Sequence, residues 1–271
     1  MIEVRPTGAA MGAEILGVDL STDLDEATFQ QIVDAWHQYE VVFFRDQKLT
    51  PEQHVKFSRR FGELELHVRK DCCRPGFHEL FVVSNIVVDG KPIGSQDAGL
   101  FWHSDLCYLE KPSRGSLFYA LEVPCDAQGK PLGDTKFASA IAAYNALSPE
   151  LKKRIDAKRA IQSYKKGYYR ERNSGPRKPL TAEQEAKTPD VAHPIGYTAR
   201  IKGMENAEGD ALLSELIAHS IKPEFIYRHQ WKVGDFLLWD NCSVQHQAVP
   251  DYKLPLRRHM ERTTLVGTAP Y

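Results

Sequence analysis

The chain predicts a mainly β fold with helices set into it, and three observations carry that expectation. From residue 80 onward, short apolar segments alternate with turns (LFVVSNIVV, SLFYALEVP, GDTKFAS, then EFIYRHQW, VGDFLLWDN and RRHMERTTLVG), the texture of a sandwich, barrel or jelly roll. Helical periodicity is confined to a few stretches, and no internal repeat is present. The length, 271 residues, suits a single domain, 1–271, because all-β and barrel-like domains often use about 200–250 residues as one unit.

Taken in order, residues 2–5 and 13–18 read as short strands. DEATFQQIVDAWHQYE places Phe29, Ile32, Val33 and Trp36 at helical spacing and predicts a surface helix. VVFFRD follows as a buried strand. Thr50 and Pro51 then open a second helix as N-cap and first position, running to about Phe61 and stopping at Gly62. GDTKFAS reads as a strand leading into two helical stretches, IAAYNAL and SPELKKRIDA. Residues 163–190 are polar and rich in charge, Gly and Pro, which predicts a loop or lid rather than a linker, since strand texture resumes beyond them. The basic run KKGYYRER within them reads as a solvated loop in preference to a nucleic-acid contact.

Charge excludes several partners. With Lys+Arg 35 against Asp+Glu 36, the net charge of -1 generates no field that would recruit a polyanion or membrane surface. No stretch approaches the roughly 18 apolar residues of a membrane span, and no leader pattern is present. A soluble, cytoplasmic protein binding neither nucleic acid nor membrane is expected. The five cysteines (Cys72, Cys73, Cys107, Cys125, Cys242) form no CxxC and no even framework, so neither a thiolate zinc site nor a disulfide scaffold is indicated.

The chemistry concentrates in DAGLFWHSDLCYLEKP. His103 and Asp105, two positions apart, point to one side if the segment is extended, so an imidazole and a carboxylate can meet one ion. A doublet of this spacing is weak evidence alone, two polar residues at a strand end being the plainer reading. Farther along, VGDFLLWDNCSVQHQAVPDY supplies His246, and two histidines with one carboxylate can occupy one face of Fe(II). In RRHMERTT a strand would place Arg258, Met260, Arg262 and Thr264 on one face. Inward arginines need anions, and the guanidinium fork suits carboxylates; surface pairing with nearby acids is the alternative.

The ordered motifs WHSD, GDT, WDNCSVQH and RRxxxR resemble the taurine dioxygenase family of Fe(II)/2-oxoglutarate-dependent oxygenases, which includes the 2,4-dichlorophenoxyacetate dioxygenases. VVFFRDQKLTPEQHVKFSRRFGELE is similar to the family's N-terminal strand-helix segment, so the resemblance covers most of the chain. It implies a double-stranded β-helix, a distorted jelly roll flanked by helices, with residues 88–101 and 163–190 covering the mouth. Carried over to matching positions, it implies His103, Asp105 and His246 as the catalytic iron ligands. Arg258 would bind the far carboxylate of 2-oxoglutarate with Thr135 of GDT, while Arg262 and His67 would face the anionic group of the primary substrate. The implied reaction couples decarboxylation of 2-oxoglutarate by O2 to hydroxylation of a small anionic substrate: a sulfonate, sulfate ester or aryloxyalkanoate-like acid. A hydroxyl placed beside a sulfonate or ether oxygen then lets the product collapse. A homodimer or homotetramer is also implied.

This chain departs from the pattern in places. Gly99 stands where taurine dioxygenases carry a substrate-positioning asparagine, and Lys70 where an aromatic is expected, which argues against taurine itself. After His193 and Pro194, either a family hairpin is shortened or a stretch is absent. Tyr108, Phe101, Trp102 and Phe137 fit an aromatic pocket, although core packing is the plainer reading; Trp239 reads as packing. A zinc hydrolase on the same three ligands is an alternative that would need neither oxygen nor 2-oxoglutarate, and a non-enzymatic jelly-roll binding protein is another.

Overall fold

A computed structural model describes residues 2–67, 69–96, 98–169, 179–194, 200–204 and 206–270. Strands β1 (Glu3–Pro6) and β2 (Ala13–Leu16) pair antiparallel. Helix α1 (Glu26–Tyr39) follows, its first turn held by the Asp25 carboxylate accepting from the Thr28 N–H. Strand β3 (Val41–Phe44) precedes α2 (Pro51–Arg59), whose start is a complete capping box between Thr50 and Gln53. The helix ends slightly before the expected Phe61.

The next strands are β4 (Cys73–Arg74), β5 (Phe77–Ser84) and the small hairpin β6 (Val87–Val88) and β7 (Lys91–Pro92). They lead into β8 (Gly115–Glu122) and β9 (Thr135–Ser139). Helices α3 (Ala140–Asn145) and α4 (Pro149–Ile155) lead to β10 (Arg159–Gln162), α5 (Tyr164–Tyr168) and α6 (Ala182–Lys187). Beyond these come β11 (Val191–Pro194), β12 (Arg200–Ile201) and α7 (Ala207–Ser220). The chain closes with β13 (Ile226–His229), β14 (Phe236–Asp240), β15 (Val244–Ala248) and β16 (His259–Thr264).

The architecture is mainly β with helices. The large sheet runs β1-β2-β3-β14-β8-β16-β5-β4, and the smaller ones β13-β9-β15 and β11-β10-β12. Strand alternation assigns the layers. Leu237 and Trp239 of β14, Phe118 and Ala120 of β8, and Met260 of β16 pack with Phe137, Tyr227 and Val244 of the β13-β9-β15 sheet. Their neighbours Phe236, Leu238, Leu117 and Tyr119 face the other way, onto Phe29, Ile32 and Trp36 of α1 and Phe57 of α2. A shift of one residue in β14 would exchange the two cores. Because each large apolar side chain buried here contributes roughly 1.5–3 kcal/mol, the register is firmly set.

Two sequence expectations need adjustment. The segment 163–190 is not simply loop: α5 and α6 form within it, while 170–178 lie outside the described residues. Helix α7, which no sequence expectation covered, joins Leu212 and Leu213 to Ile201 of β12. Residues 195–199, where a family hairpin is expected to be shortened or absent, also lie outside the described residues. Among the described residues no helix is long and apolar enough to cross a membrane, and all five cysteines are free thiols.

Candidate active site

Two histidines far apart in sequence are joined at their backbones. The His103 N–H donates to the His246 carbonyl (3.1 Å) and the His246 N–H to the His103 carbonyl (2.8 Å), an isolated antiparallel bridge that puts both imidazoles on one side. Their ring centroids lie 4.2 Å apart. His103 Nδ1 lies 2.7 Å from the Phe101 carbonyl; a carbonyl only accepts, so the proton sits on Nδ1 and the Nε2 lone pair is left free. That Nε2 is 3.7 Å from Asp105 Oδ1, and His246 Nε2 is 3.9 Å from Asp105 Oδ2. One ligand atom from each of the three residues lies within 4.8 Å of the others.

The electrostatics favour a cation here. Burial pushes both histidines below their ordinary pKa, so each offers a neutral imidazole. Burial alone would raise Asp105, but the Arg262 charge, the two histidines and the Ser116 hydroxyl outweigh it and hold the carboxyl well below its usual range. Two neutral nitrogens and one carboxylate on one face form a donor set that suits Fe(II) and similar divalent metals.

Both arginines expected to point inward are buried, Arg258 at 3% and Arg262 at 8% exposure. Arg262 Nη1 donates to Asp105 Oδ1 at 2.5 Å, so it touches the triad itself, which sequence reasoning did not foresee. Arg258 lines the same cavity, over the rings of Phe118 and Tyr252. Burial lowers its pKa, opposed by Tyr252, Asp251 and Asp134. Its Nε has no hydrogen-bond partner among the described residues, as expected of a group shaped for an anion.

The GDT motif builds the floor beneath Arg258. Gly133 adopts φ +74°, and a Cβ there would stand 2.9 Å from Tyr252 Cε1 and 3.1 Å from Arg258 Cδ. Asp134 pairs with Arg228 at 2.6 Å, while the Thr135 hydroxyl accepts from Trp231 Nε1 at 3.0 Å and lines the cavity.

The cavity, about 270 Å³, brings His67, Thr135, Arg258 and Arg262 together with the triad. His67 Nδ1 accepts the Arg69 N–H (3.0 Å), which places the proton of the neutral ring on Nε2 as a donor. Burial, reinforced by the Arg262 charge, lowers its pKa to about 4. Of the aromatic candidates, Tyr108 and Phe101 line the cavity, whereas Phe137 is core. Sequence reasoning missed Arg69 and the α5 residues Tyr164, Lys166 and Tyr168, which also line it. Tyr164 lies 4.5 Å from Tyr108 and 5.6 Å from Tyr168 between ring centroids. KKGYYRER is therefore pocket wall where it falls in α5, not merely solvated loop. Of the segments 88–101 and 163–190, residues 95, 98–101, 163, 164 and 166–168 line the cavity.

The His-Asp-His set and two buried arginines meet in one cavity, and comparison with known proteins places the chain among the 2-oxoglutarate-dependent dioxygenases. Residues 3–264 match the family described as "Taurine catabolism dioxygenase TauD, TfdA family", and the chain belongs to it. It is similar to an (S)-phenoxypropionate/alpha-ketoglutarate-dioxygenase of Sphingobium herbicidovorans, 32% identical in an alignment that covers 98% of this chain and 95% of that one. An alpha-ketoglutarate-dependent sulfate ester dioxygenase of Pseudomonas putida is 31% identical, across 99% of this chain and 91% of the other. Among solved structures, AAD-2 in complex with Mn(II) and N-oxalylglycine superposes with a TM-score of 0.81 at 28% identity, covering 100% of this chain and 98% of that one. The protein is thus a 2-oxoglutarate-dependent dioxygenase.

Proposed function

We propose that the protein uses Fe(II), 2-oxoglutarate and O2 to hydroxylate a small anionic organic acid, in a single domain, 1–271, with the topology of a distorted double-stranded β-helix. The observation that carries this reading is the convergence of His103 Nε2, His246 Nε2 and the Asp105 carboxylate in one cavity with two buried arginines. The residues fit the metal: both imidazoles are neutral, the His103 Nε2 lone pair is free, and the carboxylate is ionised. When bound, iron with its co-substrates supplies the oxidation, one oxygen atom entering a substrate C–H bond as 2-oxoglutarate loses CO2.

The chain's own residues supply binding and orientation. Arg258, with Thr135 beside it, holds the far carboxylate of 2-oxoglutarate in a dry corner, where a charge-assisted pair is strong. Arg262 and the His67 Nε2–H present donors to the anionic group of the primary substrate, a sulfonate, sulfate ester or aryloxyalkanoate-like acid. Within that class, the tyrosines of α5 together with Tyr108 favour an aryl acid, and Gly99 leaves no side chain to take an asparagine's place against taurine. The relatives named for phenoxypropionate and sulfate esters support the same range. Assembly as a homodimer or homotetramer belongs to this reading through the family resemblance, and light scattering tests it.

The experiment is anaerobic addition of Fe(II) and then 2-oxoglutarate, watched for the visible charge-transfer band of a chelated 2-oxo acid. Perturbation of that band by aryloxy acids, sulfonates or sulfate esters identifies the substrate class. Folded, metal-loaded protein giving no band would return the site to the zinc hydrolase or binding-protein reading.

A further inference from the structure

The side chain of Asn241, buried just beyond the end of β14, makes four hydrogen bonds whose direction is fixed. Its Oδ1 faces Trp239 Nε1 (2.8 Å) and the Asp105 backbone nitrogen (3.3 Å). Both are donors only, so the atom facing them must be the amide oxygen. Its Nδ2 therefore donates to Ser113 Oγ and Ser116 Oγ, each at 3.0 Å. A hydroxyl has one hydrogen, and with Asn241 as donor each serine must give its own elsewhere. Ser113 gives its hydrogen to the Gly115 carbonyl (3.1 Å) and Ser116 to Asp105 Oδ2 (2.7 Å). Ser116 is fully buried.

We infer that Trp239, Asn241 and Ser116 form a relay of fixed polarity that orients the Asp105 carboxylate for metal binding, which makes Asn241 and Ser116 positioning residues. The inference rests on the metal reading of the triad. The terminal torsion of an aspartate is soft, and two donors pin this one: Ser116 on Oδ2 and Arg262 on Oδ1. Asn241 acts twice, holding the Asp105 backbone directly and its side chain through Ser116. The relay links the ends of β14 and β8 to the loop that carries His103 and Asp105, so the outer face of the carboxylate is fixed by the sheet, and the lone pairs that remain face the imidazoles. Hydrogen bonds to a metal-binding carboxylate commonly govern affinity by about 10- to 100-fold.

Two variants test this by different routes. Ser116→Ala deletes the donor. Asn241→Asp keeps the shape and the two bonds accepted at Oδ1; while its carboxyl is ionised the second oxygen cannot donate, so the Ser116 hydrogen turns towards it and away from Asp105, and because the protonated carboxyl can donate as the amide does, the loss belongs to the higher-pH end of a pH series. Mn(II) titration of the apoprotein is expected to show a loss of about 10- to 100-fold in each variant. The double variant should be no weaker than the poorer single variant, because both act through one hydrogen bond. N-oxalylglycine binding at saturating Mn(II) should be unchanged, since Arg258 lies outside the relay. Wild-type Mn(II) affinity in folded Ser116→Ala protein, or additive losses in the double variant, would overturn the relay alone. Failure of the wild type to take up Mn(II) would instead overturn the functional reading on which it stands.

Discussion

At the scale of single residues, the corner proposed for 2-oxoglutarate depends on where one guanidinium is held. Arg258 has no exposed position to retreat to, and removing one partner of a buried charge-assisted pair costs about 2–5 kcal/mol. Arg258→Ala is therefore expected to raise the 2-oxoglutarate KM at least about 30-fold, with the primary substrate affected less. Arg262→Ala should chiefly weaken the primary substrate, but its bond to Asp105 adds a loss of metal affinity, visible in the same titrations. If instead Arg262→Ala abolished 2-oxoglutarate binding and Arg258→Ala spared it, the two assignments would be exchanged. Gly133 reaches the same corner from below. Gly133→Ala would put a side chain at φ +74° and drive its Cβ against Tyr252 and Arg258. A backbone cost of about 1–2 kcal/mol and a raised 2-oxoglutarate KM are expected together, checked by thermal melts and steady-state kinetics.

At the scale of elements, α2 carries a buried histidine whose cost depends on pH. His54 is 1% exposed, edge-on to Phe236 (5.0 Å) and Tyr119 (6.1 Å) between centroids. Burial lowers its pKa from 6.5 to about 4, against the pull of Glu261. The folded state thus resists a proton that the unfolded chain accepts, so stability is intact above pH 6.5 and falls as pH drops towards 4, by on the order of 3 kcal/mol. His54→Phe should keep the urea midpoint at pH 8 and lose less of it at pH 5 than the wild type; equal losses in both proteins would refute this. Helix α5 borders the cavity proposed for the substrate. Tyr164→Ala removes a ring contact worth about 0.5–1.5 kcal/mol, so the KM of an aryl acid should rise roughly two- to tenfold while a short alkyl sulfonate is barely affected. These elements also mark what the sequence discloses. The period of two in RRHMERTT makes Arg258, Met260 and Arg262 legible as one face, and the HxD spacing makes the doublet legible. Asn241 and Ser116 are 125 residues apart, and no local pattern announces that a turn asparagine will meet a strand serine under a carboxylate. KKGYYRER illustrates the other limit: composition reports that a segment is polar, not which cavity it borders. Helix α7 did carry a local signal, since Leu212, Leu213 and Leu216 recur at helical spacing.

At the scale of the whole molecule, the site is a joint between sheets. His246 belongs to β15 of the β13-β9-β15 sheet, Arg262 to β16 of the large sheet, and Asp105 and His103 to the connection before β8. A metal held by His103, Asp105 and His246, with a co-substrate on Arg258, would add a tie between elements already joined by side-chain packing, the His103–His246 backbone bridge and the Arg262–Asp105 bond. Ligand binding should therefore stabilise the fold as a unit. At about 100 times Kd a ligand adds about 2.7 kcal/mol, and for a domain of this size each kcal/mol shifts the midpoint by about 2–4 °C. Mn(II) with N-oxalylglycine is expected to raise Tm by about 5–10 °C, in one cooperative transition that moves as a whole and is reversed by a chelator. If the ligands shifted only one part of a biphasic melt, the single-domain proposal would fail, because that part alone would contain the site. His103→Ala separates the contributions, removing the response to Mn(II) while leaving the melting of the apoprotein a single step.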